Sequence, residues 1–177
     1  DVTTTLTNYD SSELQSFGKV FRHSQVTGLI DDTNTAILSN ITNVILAKSI
    51  TPTLGSSSSF NIYFNNALYN PHSGHNSGAG GILTSTGFKV KGDATNEYFF
   101  DDDGNGNIRR YYLVGITRTY ADSAAGTINY TTGAIVLNGI IIESISNVDG
   151  VASTSIRFTV VPDSKDIVPV RNQILEI

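Results

Sequence analysis

The spacing of apolar positions predicts one helix near the start of the chain, over residues 19–31. Val26, Leu29 and Ile30 share one helical face, since Leu29 and Ile30 follow Val26 by three and four positions. Arg22, His23 and Gln25 are polar. Gly28 lies inside this segment at a cost of about 1 kcal/mol relative to alanine. Close approach to a neighbouring strand would explain why a glycine stands there.

Upstream of this helix, residues 13–17 are predicted as a short extended lead-in. The alternative is a helix that begins at Ser12 with Gln15 as its capping-box partner. The pattern leaves both interpretations open.

Downstream, the period changes from that of a helix to that of a strand. Residues 35–50 form a long run of β-branched and apolar residues, and Phe60, Ile62 and Phe64 alternate along one face of a second strand. We therefore expect residues 1–69 to form a small α+β unit, a helix on an antiparallel sheet.

The rest of the chain predicts a linker and a β-rich domain. Residues 70–81 are rich in Gly, Ser and Asn and have no periodicity, which indicates a linker. Residues 82–177 alternate short strands with turns, and they favour a β-sandwich or a partly open barrel. The fold class is thus α+β and β-rich, and the strands are predicted at 88–91, 97–100, 108–116, 127–130, 134–137, 140–146, 155–161 and 173–177.

Composition and charge exclude several classes of function. Only 15% of the residues are charged, the net charge is -5, and no basic run is present, so nucleic acid is not an expected ligand. The absence of cysteine excludes disulfides and thiolate metal sites. No apolar run is long enough for a membrane span and no signal peptide is recognisable. Because methionine is absent as well, we expect an excerpt of a longer polypeptide or a processed one.

One segment resembles the beginning of a calcium-binding loop. Asp101, Asp103 and Asn105 occupy its first, third and fifth positions, and Gly106 occupies the sixth. The twelfth position, where a bidentate glutamate is required, is Tyr112. A polar hairpin turn is therefore favoured over a weak calcium site, and no metal or other cofactor is predicted.

Two further motifs are weak. His72 and His75 have a His-x-x-His spacing, but zinc needs more ligands and the third histidine, His23, lies on the predicted helix. A solvated loop is favoured. The glycine-rich residues 77–81 lack the lysine of a phosphate-binding loop and read as a connector.

No catalytic constellation is recognisable, so an enzyme is not expected. Serine hydrolase motifs are absent, and the spacing of Glu97, Glu143 and Asp163 brings no two carboxylates together. A cluster of aromatic residues could form a sugar-stacking platform, although burial in the core is favoured. This cluster consists of Tyr98, Phe99, Phe100, Tyr111 and Tyr112.

Several stretches together resemble the C-terminal part of the ring-forming baseplate wedge protein of T4-like contractile-tailed phages, which is distantly related to baseplate J-like proteins. They are FRHSQVTGLIDD at 21–32, ILSN at 37–40, YYLVG at 111–115, GTINY at 126–130 and GAIVL at 133–137. The resemblance implies that residues 1–50 end a ferredoxin-like domain. It implies no catalytic residue.

The resemblance also implies an assembly role in the virion. We expect a structural subunit of the tail baseplate that dimerises, contacts other wedge proteins, and joins wedges into a ring around the tail hub. Assembly would take place in the host cytoplasm. The alternative is a secreted or surface module that binds carbohydrate or calcium. Apolar and aromatic strand residues are the predicted interface: Phe60, Ile62, Phe64, Tyr111 and Tyr112.

Overall fold

A computed structural model describes residues 1–75, 81–170 and 173–177. The chain forms two compact units, one built from Asp1–Val44 and Pro162–Ile177, the other from Ile45–Val161. This division differs from the predicted boundaries at residues 69 and 82. The reason is pairing over long sequence separations, which places two early strands in the same sheet as the later ones.

The first unit begins with helix α1 (Val2–Tyr9), which continues into a π-helical turn (Asp10–Leu14). The extended lead-in predicted at residues 13–17 is therefore wrong for its first part. Threonine-rich sequence disfavours a helix, but the Asp1 carboxylate accepts a hydrogen bond from the Thr4 amide at 2.9 Å and caps the N-terminus. Leu14 is buried at the end of the turn, so tertiary packing supports the helix.

Helix α2 (His23–Asp32) confirms the predicted helix, with a later start. Val26 is buried, and Leu29 and Ile30 pack with it in the core of the first unit. The explanation offered for Gly28 is wrong, because no atom lies within 4 Å of the position that its Cβ would take.

The C-terminal segment of the chain completes the first unit. The Asp166 carboxylate accepts a hydrogen bond from the His23 amide at 2.8 Å and so caps α2, for which Arg22 provides no side-chain cap. Phe21 and Ile167 pair through two backbone hydrogen bonds of 3.0 Å. Residues 173–177 form no strand, which corrects the prediction made for them.

The second unit is a single antiparallel sheet in which five strands close into a barrel. Around the barrel the order is β5, β4, β8, β7 and β6, and β6 pairs again with β5. Beyond the barrel, β3, β9 and β1 follow from β5, while β2 pairs with β8. The strands are β1 (Leu46–Ile50), β2 (Ser57–Tyr63), β3 (Leu83–Ser85), β4 (Phe88–Val90), β5 (Asp93–Asp102), β6 (Asn107–Val114), β7 (Thr117–Asn129), β8 (Ala134–Ile145) and β9 (Ile156–Val160).

The α+β, β-rich fold class is thus confirmed, with the barrel closed where a sandwich or a partly open barrel was expected. Of the long extended run predicted at 35–50, only β1 is a strand. The barrel interior is filled by aromatic and aliphatic side chains, among them Phe88, Phe100 and Phe158, whose rings stack in sequence. In the part of the chain that the structure describes, no helix has the length and hydrophobicity of a membrane span.

Candidate functional site

The centre of the candidate site is a buried carboxylate on the outer side of the barrel. Phe100 enters the core, so the next residue of β5, Asp101, faces the opposite side of the sheet. Its carboxylate is fully buried and accepts hydrogen bonds from Arg109 Nε at 2.9 Å, Arg118 Nη1 at 2.6 Å and the Tyr120 hydroxyl at 2.9 Å. Strands β5, β6 and β7 each contribute to this network because they are neighbours in the barrel.

Aromatic rings hold both guanidinium groups in place. Arg118 lies 4.4 Å above the centre of the Tyr111 ring, and Arg109 lies 4.3 Å above that of Tyr120. The Tyr111 ring stacks in turn on Phe99 at 5.6 Å between centroids. We call these five residues (Phe99, Arg109, Tyr111, Arg118 and Tyr120), with Asp101 beneath them, the arginine–tyrosine face.

Tyr111, Tyr120 and Arg118 of this face keep their protonated forms. Burial raises the pKa of the Tyr111 hydroxyl. Burial and then the hydrogen bond to Asp101 raise the pKa of Tyr120. Burial alone would lower the pKa of Arg118, but its hydrogen bond to Asp101 and its charge interactions with Tyr111, Asp101 and Tyr120 together raise it. The tyrosine hydroxyls therefore remain donors and the arginine remains a cation.

Beside this face, the β6–β7 hairpin ends in an apolar tip. Leu113, Val114 and Ile116 are 47%, 61% and 98% exposed, and Gly115 makes the turn with φ 63°. We call these three apolar residues the hairpin tip. Register pairs Leu113 with Arg118, so the tip continues the arginine–tyrosine face along the same strands.

The chemistry of this surface is that of binding. Both guanidinium groups pair with Asp101, and Arg109 also interacts with the charge of Asp103. Arg118 stays partly exposed as a cation, and the groups are held rigidly before any partner arrives. Arginine and tyrosine carry much of the energy in protein–protein contacts, and apolar side chains beside them exclude water. The surface is therefore suited to an acidic partner with apolar residues.

The carboxylates of the predicted calcium loop are engaged in hydrogen bonds within the protein. Asp101 is committed to Arg109 and Arg118, whereas the Asp103 carboxylate accepts hydrogen bonds from the amides of Asn105 and Asn107 at 2.8 and 2.9 Å within the turn. The side-chain amide oxygen of Asn105, Oδ1, accepts a hydrogen bond from Ser73 Oγ at 2.8 Å. The favoured interpretation, a polar hairpin turn between β5 and β6, is confirmed.

The predicted interface residues lie mostly inside the second unit, and their role in contacts with a partner stays a prediction. Ile62 and Phe64 belong to the core and Tyr111 is covered by Arg118. Phe60 and Tyr112 are half-buried and pack against that core. The expected aromatic core is confirmed for Tyr98 and Phe100, which are buried there as well.

The other residues considered for catalysis or metal binding lie in different parts of the fold, with the exception of one histidine pair. Glu97 lies on β5, Glu143 on β8, and Asp163 in the first unit. His23 is in the first unit too, where its Nε2 lies 3.0 Å from the carbonyl oxygen of Thr42. Most of the glycine-rich segment at 77–81 lies outside the described residues. His72 and His75, by contrast, are in contact.

Sequence reasoning missed the arginine–tyrosine face. A signal was present in the alternation of Arg109 with Tyr111 and of Arg118 with Tyr120, since residues two apart on a strand share a face. The interpretation of Asp101 as a calcium ligand obscured it. The pairing of β6 with β7 includes two register shifts, which the pattern alone does not reveal.

Comparison with known families identifies the N-terminal part of the chain. Residues 1–49 match the family model described as baseplate structural protein gp6, C-terminal domain III. The resemblance to the C-terminal part of a T4-like baseplate wedge protein is thereby confirmed over the helices of the first unit and β1. No curated protein is significantly similar to the chain. The family supports a structural role in the tail baseplate of a virion, where a subunit contacts other baseplate proteins.

Proposed function

We propose that this chain is part of a structural baseplate wedge protein that associates with itself and so joins wedges into a ring around the tail hub. The observation that carries the proposal is the family match over residues 1–49. The arginine–tyrosine face supplies the surface through which self-association would occur. A role without catalysis fits a family of structural proteins, and assembly is expected in the host cytoplasm.

Rigidity favours this face as a contact surface. A long arginine side chain normally loses conformational entropy when a partner immobilises it. Arg118 is already fixed by Asp101 below and Tyr111 beside it, and its side chain remains 23% exposed. Most of the ordering cost is therefore met during folding, and more of the interaction energy remains for binding.

Charge favours a second copy of the chain as the occupant. The first unit contains eight acidic and four basic residues, so it is the more acidic part of the chain. The arginine–tyrosine face of the second unit presents the partly exposed guanidinium group of Arg118. An acidic unit of one copy on the arginine–tyrosine face of the next is a head-to-tail contact, and such contacts generate rings when their rotation closes.

Sedimentation equilibrium of the full chain over a range of concentrations tests this proposal. We expect reversible association that weakens in high salt, because part of the attraction is between charges. Arg118→Ser and Ile116→Ser should each weaken association by at least tenfold, as loss of a central arginine or apolar contact does in other interfaces. Val151→Ser is the matched control, since Val151 is 69% exposed but lies outside β5, β6 and β7.

A chain that is monomeric at every concentration would contradict self-association. Equal weakening by Val151→Ser would contradict the assignment of the face while leaving association itself in place. The alternative function, a carbohydrate- or calcium-binding module, predicts heat on titration with glycans or Ca²⁺, which a baseplate subunit should not give.

A further inference from the structure

The loop before residue 76 brings two histidine side chains together. His72 Nε2 and His75 Nδ1 are 3.1 Å apart, and the rings meet edge to face with centroids 4.8 Å apart. A bond of this length needs a proton on one nitrogen and a lone pair on the other. The two nitrogen atoms therefore point at a common position.

A contact with the backbone determines that His72 faces His75 with the lone pair of its Nε2. Its Nδ1 lies 3.1 Å from the carbonyl oxygen of Ser73. Because a carbonyl only accepts hydrogen bonds, Nδ1 must carry the proton in this contact, and the lone pair of the neutral ring is then on Nε2. Metal-binding histidines commonly have this arrangement, in which the far nitrogen donates to a carbonyl and fixes the ring.

The loop is tied to the β5–β6 turn, so the histidine pair is not held by its own contact alone. Ser73 Oγ donates to Asn105 Oδ1 at 2.8 Å, and the Gly74 amide donates to the Gly104 carbonyl at 2.9 Å. The ring of Tyr69 contacts His75 edge to face at 5.4 Å. The backbone of the loop, the carbonyl of Ser73 and a neighbouring ring thus all orient the pair.

We propose that His72 Nε2 and His75 Nδ1 bind a divalent transition metal such as Zn²⁺, Cu²⁺ or Ni²⁺. The metal replaces the proton between them, and that proton moves to His75 Nε2, so both rings stay neutral. Imidazole nitrogen suits these ions better than Ca²⁺ or Mg²⁺. In tetrahedral zinc sites each Zn–N bond is about 2.0–2.1 Å, which separates two ligand nitrogens by about 3.4 Å. The pair needs to open by a few tenths of an ångström, and both rings need to turn so that their lone pairs converge on the metal.

This site supplies two ligands. Among residues 1–75, 81–170 and 173–177, no group of three His, Cys, Asp or Glu side chains is arranged to hold a metal. Water completes the coordination, and both rings are exposed enough to allow it. The inference is independent of the proposed assembly role, since it depends only on the geometry of the loop.

The test is calorimetric titration of the untagged full chain with ZnCl₂ and with CuCl₂. We expect one equivalent of metal to bind, and binding to weaken at least tenfold in His72→Gln and in His75→Gln, since each variant leaves one imidazole. His23→Gln is the matched control and should bind as the unmodified chain does. Electron paramagnetic resonance of the Cu²⁺ complex should show coupling to two imidazole nitrogens.

Circular dichroism of each variant separates loss of the ligand from loss of the fold. Absence of binding by the unmodified chain would overturn the proposal. It would also be overturned if His23→Gln weakened binding as much as the other two variants, or if the Cu²⁺ spectrum showed a single nitrogen.

Discussion

Asp101 shows how a charge can be buried in a small β-protein. Its carboxylate receives three donor side chains, and Arg109 makes a second bond to it at 3.1 Å through Nη2. Removing a charge from water costs several kcal/mol, which only paired charges and complete hydrogen bonding offset. The arrangement therefore depends on both arginines, and they in turn depend on Asp101.

Asp101→Asn should destabilise the chain by about 2 to 4 kcal/mol, because it leaves two half-buried guanidinium groups without their counter-charge. The free energy of unfolding in urea measures this. Glu143→Gln, at an exposed site on β8, is the control and should change that free energy by less than about 0.5 kcal/mol. An unchanged free energy of unfolding in Asp101→Asn would show that the ion pairs of Asp101 with the two arginines do not stabilise the fold.

A second carboxylate makes stability depend on pH. The amides of Asn96 and Thr95, the Asn96 side chain and the Tyr98 hydroxyl all donate to Asp93, and these hydrogen bonds, that from the Asn96 amide first, lower its pKa far below the usual range. Because the folded-state pKa lies below the unfolded one, the charged form is the form that the fold favours. The stabilisation is full above the unfolded pKa and is lost as the pH falls through the folded value.

Asp93→Asn should therefore be less stable than the unmodified chain at pH 7, and the difference should shrink below about pH 4, where the unfolded carboxyl takes up a proton. Urea unfolding at a series of pH values gives the difference directly. A difference that stays constant down to pH 2 would mean that the charge of Asp93 makes no contribution.

At the scale of elements, the β6–β7 and β7–β8 hairpins form part of the barrel, and each has a glycine in its turn. Gly133 joins β7 to β8 with φ 68°, a left-handed conformation that favours glycine. A Cβ at this position would lie 2.4 Å from the carbonyl oxygen of Asn66. Gly115, in the β6–β7 turn, has φ 63° and no atom within 4 Å of its Cβ position.

These two glycines separate backbone strain from steric exclusion. Gly115→Ala should cost about 1 to 2 kcal/mol for the left-handed conformation alone. Gly133→Ala should cost at least about twice as much, because it adds a clash with backbone to the same strain. Urea unfolding of both variants measures the difference, and equal costs would contradict the close approach at Gly133.

The sequence predicted elements where the local pattern decides them. Helix α2 follows from the spacing of its apolar residues, and the β5–β6 hairpin from its polar turn. Helix α1 was missed because its threonines have low helix propensity, while its cap and its buried contacts compensate only in the folded chain. Its hydroxyls also bond to the helix backbone, as Thr7 Oγ1 does to the Thr3 carbonyl at 2.9 Å.

At the scale of the whole molecule, contacts between segments far apart in the sequence could not be predicted from the local pattern of residues. The C-terminal segment returns to cap α2 through Asp166, which lies 143 residues after His23 in the sequence. The predicted interface depends on a similar ambiguity of the pattern. An alternating apolar strand such as that of Ile62 and Phe64 looks the same whether its face meets a partner or its own core.

Hydrogen–deuterium exchange of the full chain, at concentrations below and above those at which it associates, tests the central claim most directly. We predict that the backbone amides of residues 113–120 exchange more slowly in the associated state, since the hairpin tip and Arg118 would then be covered. Unchanged exchange in this segment, or protection confined to β2 with Phe60 and Ile62, would contradict the assignment of the arginine–tyrosine face as the contact between copies.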